Sequence, residues 1–578
     1  MNYKVIPIQK LTGFDTLTYS APKNSKFYTG QLVYIPLKNT SIPGIIYEPD
    51  FNKTSYNLRD IIGLFDTKPI LTLNQIIFCK WITDNYISSM SEVCYQLIPT
   101  RFRKVLKKDI KNSFMPSLNH EPPAEKSTIK KTSSEYVQGD MKIRFLKYKK
   151  IIQKSNGQTL IISPDINIIP ESIMDILVDI YIHDTSSPKS EFESWQKIYK
   201  TQPKTILGSH KSLLLPIKKI SNIILDQENH PQIQYDQKPY YDLRIATKNL
   251  AEQINSNLYI GSNFPSLLTY KEFNIKNLSS KKLAHITLLP TDKYTPIEKQ
   301  NLAFQTEEII NKNLGLKQPI VLLILRKGFA QAIICKSCMT ILKCPKCNNN
   351  TRLIESQKLY CTKCNNKILP PNKCNICKSL HLEIIGLGQL GIEDYLKRIY
   401  PTAKISTLEN KKRFDIAIIT PRKLSQIGRV KDLIILNPES ILSSPSYNIK
   451  EKLHQVIYST RTICDNLFIQ TQVPKNEFWQ NIKEPHKFLK NELLDRKKYE
   501  LPPVKKVIVI QGPSFKLLNI KKELIEIATI LGPTPYQADS KQHRLIIKSN
   551  YSNFTRVSKI LKKYKSAGIR YKIDPIDL

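Results

Sequence analysis

Glycine is scarce in this chain, at 17 of 578 residues, and none of the 17 is followed by lysine. A phosphate-cradling Gly-x-x-x-x-Gly-Lys-Ser/Thr loop is therefore excluded everywhere along it. Long apolar runs are missing too. The longest, such as Pro319 to Leu325, fall far short of a membrane span, and Met1 to Gly13 holds no signal-peptide core. The expectation is a cytoplasmic protein with no membrane partner. Acidic residues are outnumbered, 49 against 88 lysines and arginines, for a net charge of +39. A charge of that size draws a chain to polyanions by counterion release, nucleic acid first among them. The accompanying wealth of Ile, Asn, Lys and Tyr is the mark of AT-biased codons, so part of the charge belongs to solvated faces whatever the partner. With 41% hydrophobic residues, several domains with real cores are expected.

Cysteine is sparse except in one stretch. Cys79, Cys94 and Cys464 stand alone and read as small core residues. The other eight form four Cys-x-x-Cys pairs: Cys335/Cys338, Cys344/Cys347, Cys361/Cys364 and Cys374/Cys377. Each such turn aims two thiolates at one point, and two turns make the tetrahedral sulfur cage that suits Zn²⁺. Two zinc ions per chain are expected. Five residues separate the first two pairs and thirteen the second from the third. A β-hairpin needs the longer gap, which favours a nested arrangement: Cys344, Cys347, Cys361 and Cys364 inside, Cys335, Cys338, Cys374 and Cys377 outside. A consecutive arrangement is the rival. Disulfides suit a lysine-rich chain without a secretory signal poorly, and eight ligands in four doublets exceed one iron–sulfur cluster.

Periodicity gives a multidomain α/β reading. Residues 1–103 are expected to form a β-rich domain, with strands at Gln31 to Pro36 and Gly44 to Tyr47 and a helix from Leu73 to Met90. Residues 104–140, rich in Lys, Ser and Pro, read as a linker. Short apolar strands alternating with helices then predict two parallel-sheet units, 141–283 and 284–334 with 379–490, the cysteine insert 335–378 interrupting the second. A small α+β domain, expected to bind DNA, closes the chain over 491–578.

Several motifs carry a resemblance that covers essentially the whole chain. Arg326-Lys-Gly-Phe-Ala before the first Cys pair, the four-pair spacing, Gly386-Leu-Gly after the last, Leu501-Pro-Pro and Asp574-Pro-Ile-Asp resemble the primosomal protein N′ (PriA) family of replication-restart proteins. Gly13-Phe-Asp-Thr and Trp81-Ile-Thr-Asp-Asn-Tyr are similar to that family's DNA 3′-end-binding domain. The resemblance implies a helicase core of two RecA-like lobes, two zinc ions in the nested pairing, and recognition of abandoned forks. It implies forked or single-stranded DNA, primosome proteins and the replicative helicase loading machinery as partners. It also implies DNA contacts at Asp15, with Phe14 and Leu17 lining the pocket; a turn-capping role for Asp15 and core roles for its neighbours are the plain alternatives. Family members usually carry a winged-helix domain where this chain has only the short 104–140 stretch.

The departures fall on the nucleotide motifs. The family's phosphate loop is replaced by Val137-Gln-Gly-Asp-Met-Lys-Ile-Arg144, and its Asp-Glu-Glu-His stands as Asp226-Gln-Glu-Asn229. Asp226 retains a carboxylate for Mg²⁺, but Gln227 cannot accept a proton from water. The paired-arginine motif has become Gln455-Val-Ile-Tyr-Ser-Thr-Arg-Thr462, leaving Arg461 out of register as a surface residue, and Ala-Thr-Pro-Ser is Asn263-Phe-Pro-Ser266. Tyr235, Tyr240 and Tyr241 stand in the place of an aromatic coupling loop and read as packing residues. The expectation is a fork-binding scaffold without catalytic or nucleotide-binding residues. The alternatives are an active ATP-dependent 3′-to-5′ helicase and a zinc-ribbon RNA-binding protein.

Overall fold

The structure is a computed structural model that describes residues 1–9, 15–52, 57–108, 113, 132–235, 239–275, 278, 283–291, 302–325, 330–335, 337–338, 340–348, 351–355, 358–361, 364, 366–387, 389–408, 413–442, 446–536, 542–565 and 568–575. The chain divides into two compact units, one of residues 1–275 with 496–575, the other built from 276–495.

The first unit begins with a five-stranded antiparallel sheet of β1 (Asn2–Pro7), β2 (Leu17–Ser20), β3 (Leu32–Leu37), β4 (Thr40–Asp50) and β5 (Gly63–Leu64), in the order β2-β1-β4-β3-β5. Alternation gives it two apolar faces. Val5, Val33, Ile35 and Ile46 pack with Tyr3 and Phe27 on one side, while Ile6, Leu32, Tyr34 and Ile45 join the core under the helices. The helix expected from Leu73 to Met90 is two helices, α1 (Leu73–Asn85) and α2 (Met90–Leu97). Thr72 with Gln75 and Ser89 with Glu92 form a capping box at the start of each, and the second box forces the break.

The ends of the expected linker are ordered elements. Helix α3 (Thr100–Lys108) runs past residue 103 because Phe102 and Leu106, one turn apart, are both buried. Residues Ser134–Gln138 form β6, an edge strand of the next sheet. Between these ends the stretch lies outside the described residues, apart from 113, 132 and 133.

That sheet is wholly parallel and comprises β6, β7 (Gln158–Ile162), β8 (Ile180–Ile182), β9 (Thr205–Gly208), β10 (Ile220–Asp226) and β11 (Asn257–Ser262). Its order is β6-β11-β10-β7-β9-β8. The second unit holds another parallel sheet, of β12 (His285–Pro290), β13 (Ile320–Ile324), an antiparallel insert, and then four more strands. The insert comprises β14 (Ala330–Cys335), β15 (Thr351–Glu355), β16 (Lys358–Cys361), β17 (Lys367–Ile368) and β18 (Leu382–Leu387). After it come β19 (Ile405–Ser406), β20 (Ile416–Ile419), β21 (Val430–Leu436) and β22 (Cys464–Thr471), giving the order β12-β22-β21-β13-β20-β19. With the insert set aside, the two sheets have the same strand order. They are two RecA-like lobes. The insert is wider than the 335–378 read from its cysteines, because β14 and β18 zip together from Ala330↔Leu387 to Cys335↔Leu382.

The chain closes on a four-stranded antiparallel sheet of β23 (Lys506–Pro513), β24 (Thr529–Pro535), β25 (Gln542–Ser549) and β26 (Arg570–Ile573). Its residues Ile508, Ile510, Leu545 and Ile547 pack with Leu517, Ile520, Val557 and Leu561 of two helices. Lys506 anchors this domain within the first unit. Buried at 2% exposure, its ammonium stands 3.9 Å from the Phe554 ring centroid and 5.5 Å from that of Tyr86, and donates to Asn85 Oδ1 at 3.2 Å. Beside it, burial pushes the Asp574 carboxyl up to about 6, against the pull of Lys506 and the Val507 amide.

Candidate functional site

The insert gathers its eight cysteines into two groups of four, Cys335, Cys338, Cys374 and Cys377, and Cys344, Cys347, Cys361 and Cys364. Within each group the ligand atoms all lie within 4.8 Å of one another. The arrangement is nested. The strands explain it: β14 and β18 carry the chain into and out of the outer group, while the β15–β16 hairpin, pairing Thr351 with Cys361, folds the inner pairs together. Sulfur separations are 3.4 Å for Cys335–Cys377, 3.7 Å for Cys338–Cys374, 3.6 Å for Cys344–Cys364 and 3.4 Å for Cys347–Cys361. Four thiolates about 2.3 Å from a tetrahedral Zn²⁺ would stand about 3.8 Å apart, so the donor set fits that ion. Local hydrogen bonds favour thiolate at Cys338 and Cys344, whereas at Cys377, against the Ser379 amide, the neighbouring cysteine sulfurs and burial push the thiol up to about 12. The hydroxyl and amide of Thr340 bring Cys338 down to about 6. Burial opposes the same change at Cys344, yet the amides of Cys347 and Lys346 bring it down to about 6.

The acidic motif at the end of β10 is closed. Strand β6 turns through Gly139, at φ 150°, directly into α4 (Met141–Lys154), capped by Asp140. That short turn aims Arg144 at the carboxylate of Asp226. Arg144 Nε donates to Oδ1 at 2.6 Å and Nη2 to Oδ2 at 3.0 Å, while Nη1 donates to Gly139 O and Asn263 Oδ1. Tyr148, one turn further along α4, donates its hydroxyl to Asp226 Oδ1 at 2.7 Å. The side chains of Asp226 and Arg144 are 0% and 3% exposed. Burial opposes the Arg144 charge, but the Asp226 carboxylate outweighs it and the guanidinium pKa rises. Burial and the same carboxylate push the Tyr148 phenol well up. Gly261 on β11 makes the room, since a Cβ there would meet the Tyr148 hydroxyl at 1.8 Å.

The rest of the motif is also turned inward. Gln227 is buried in left-handed backbone at φ 57°. Glu228 accepts from Ser266 N and Oγ and from Ser262 Oγ, with Arg244 3.7 Å away. Burial raises its pKa against those partners. Asn229 donates to Phe264 O at 3.0 Å, so the Asn263-to-Ser266 segment is tied to the turn that follows β10. Arg144, Tyr148 and Glu228 were missed in the sequence reading. The signal was there: an arginine and a tyrosine four apart on a helix otherwise crowded with lysines. Arg461, expected on the surface, is half-buried, its Nε donating to Ala284 O at 3.0 Å, because the chain supplies backbone acceptors there. Tyr241 is buried with its hydroxyl on His210 O, Tyr235 stacks on His210, and Tyr240 is exposed.

In the N-terminal domain Asp15 Oδ1 accepts from Met90 N at 2.9 Å, and Oδ2 lies 3.8 Å from Lys80 Nζ. Leu17 opens β2 and packs at the edge of the Tyr3 and Val5 core. Phe14 lies outside the described residues.

Two RecA-like sheets of one strand order, the second interrupted by a pair of four-cysteine groups, give the chain a helicase-like fold. Residues 5–99 match the family described as the 3′ DNA-binding domain (3′BD) of PriA. The chain is 24% identical over 528 residues to the replication restart protein PriA of Borreliella burgdorferi, covering 80% of this chain and 78% of that one. Its identity to the Helicobacter pylori protein of the same name is 23% over 625 residues, covering 97% of each. The chain is similar to the PriA replication restart proteins over most of its length. The structure of RecG bound to a three-way DNA junction is similar at a TM-score of 0.34 and 11% identity, over 63% of this chain and 44% of that one. Among the described residues no helix is long and apolar enough to cross a membrane.

Proposed function

We propose that this chain is a DNA-binding replication-restart protein that recognises stalled or abandoned forks and serves as a scaffold for primosome assembly and helicase loading, without hydrolysing ATP. One observation carries the second half: both oxygens of Asp226 are taken by Arg144 and Tyr148 in a site closed to solvent. Phosphoryl transfer in this class is positioning and charge stabilisation, requiring a phosphate loop, a metal-holding aspartate, a water-orienting group and arginines. Here the loop is replaced by a two-residue turn, Arg144 occupies the aspartate, and Gln227 and Arg461 point into protein.

The relatives, the match to the 3′-end-binding family and a net charge of +39 support the DNA half. Asp15 and Leu17, with Phe14, are the proposed end contacts, and the basic C-terminal domain and lobes hold the duplex. Two structural Zn²⁺ ions order the insert, which serves partner proteins. The decisive assay is phosphate release by highly purified protein on forked DNA, paired with strand separation and with the Asp226→Asn variant. No release above background is expected. Release that depends on Asp226 would establish the helicase reading instead.

A further inference from the structure

Two lines of contacts run from the C-terminal domain, at its Phe554–Lys563 helix and the residues just after it, to the partners of Asp15. On one side, Ser558 donates its hydroxyl to the carbonyl of Asp84, and the Asp84 carboxylate accepts Lys562 at 2.8 Å. The same Oδ1 receives Lys80 at 3.3 Å, and Lys80 reaches Asp15 Oδ2 at 3.8 Å. On the other side, Lys565, just beyond the helix, pairs with Glu92. Glu92 also accepts from Ser89 N at 3.0 Å in the capping box that orients Met90, whose amide holds Asp15 Oδ1. Asp15 is thus fixed through its helix partner and through its ammonium partner, and both lines lead to the C-terminal domain.

Because Oδ1 is taken by Met90, Oδ2 is the oxygen left for a ligand hydroxyl. The side chains of Asp15 and Lys80 are each 40% exposed, so that position is open. Asp84, shared with Lys562, leaves part of the Lys80 charge facing Asp15. Without Lys562, Asp84 would draw Lys80 toward itself and away from the open oxygen.

We propose that Lys562 is a positioning residue for the DNA 3′-end site, so that the C-terminal domain helps set the discrimination between a free and a blocked strand end. This deepens the reading of Asp15 as the end contact and rests on it. The test measures full-length protein on forks whose leading strand ends at the junction in a 3′-hydroxyl or a 3′-phosphate. Lys562→Met is expected to cut the affinity ratio between the two ends several-fold, approaching Asp15→Ala, and Lys562→Arg to restore it. Lys563→Met removes the same charge from a neighbour that is 68% exposed and faces Glu523. It should weaken both forks together, as a phosphate contact does. An unchanged ratio in Lys562→Met, or equal loss on both forks, while Asp15→Ala still abolishes discrimination, would overturn the proposal alone. An unchanged ratio in Asp15→Ala would overturn the end-binding reading and the proposal with it.

Discussion

At the insert, two groups of four thiols converge within 4.8 Å, and each group is made of thiols alone. At the end of β10 one carboxylate converges instead on Arg144, a cation that the chain itself supplies. Both arrangements place negative charge on buried side chains. A cluster of four thiolates is stable only when an external cation enters, whereas Asp226 is neutralised on folding by a side chain eighty-two residues away. A site built for a ligand leaves its charges unbalanced, whereas the Arg144–Asp226 pair balances its own. The two lobes keep one strand order, and in the first only Gly139 and Asp140 separate β6 from α4.

The largest break in this comparison should come at the insert. A structural Zn²⁺ site carries about 10 to 16 kcal/mol of apparent binding free energy. Cys344→Ser is therefore expected to lower bound zinc from two ions to one and to open the β15–β16 hairpin to protease, leaving the parallel sheets folded. Elemental analysis with limited proteolysis reads both; a wild-type zinc content in the variant would refute the assignment.

Next in size is the closed site. Asp226→Ala strands the Arg144 charge in the interior, which typically costs about 3 to 5 kcal/mol, whereas replacing both partners by apolar residues is often neutral. Denaturant unfolding should show a marked loss for Asp226→Ala and recovery of most of it in Arg144→Met with Asp226→Leu. Equal losses in the two variants would mean that the ion pair is not the relevant interaction.

A smaller, pH-dependent effect separates the units. Burial brings His454 in the second unit down to about 3, with Arg461 adding to it, and brings His183 in the first down to about 4, with Lys211 adding and Asp184 opposing. Both folded values lie below the unfolded value near 6.5, so their stabilising contribution is complete above that pH and is lost as pH falls toward 4 and 3. At pH 5 each should cost about 2 kcal/mol. Asp574, raised to about 6, acts in the opposite sense, so the comparison is between wild type and His454→Phe. The variant should lose less stability between pH 7.5 and pH 5; an unchanged slope would show that His454 is not held neutral.

The sequence showed the strands plainly because β10, β13 and β21 are short apolar runs between turns. It showed the cages because Cys-x-x-Cys geometry is local. Boundaries were less legible: α3 and β6 lay inside a stretch whose composition reads as linker, and β14 and β18 outside the cysteines that define the insert. The absence of a phosphate loop could be read from the glycines alone. What replaced it could not, since the Arg144–Asp226 pair is a contact between distant segments. Nor could the links from Lys562 to Asp84 and from Lys565 to Glu92, which depend on how the last domain docks against the first.

Thermal unfolding with and without millimolar Mg·ATP asks whether the paired Asp226 site of the first lobe still takes a nucleotide. A ligand present at a hundred times its Kd would stabilise the fold by about 2.7 kcal/mol, a shift that is readily seen. No shift is expected in the wild-type protein. A shift of several degrees that disappears in Asp226→Asn would contradict that expectation.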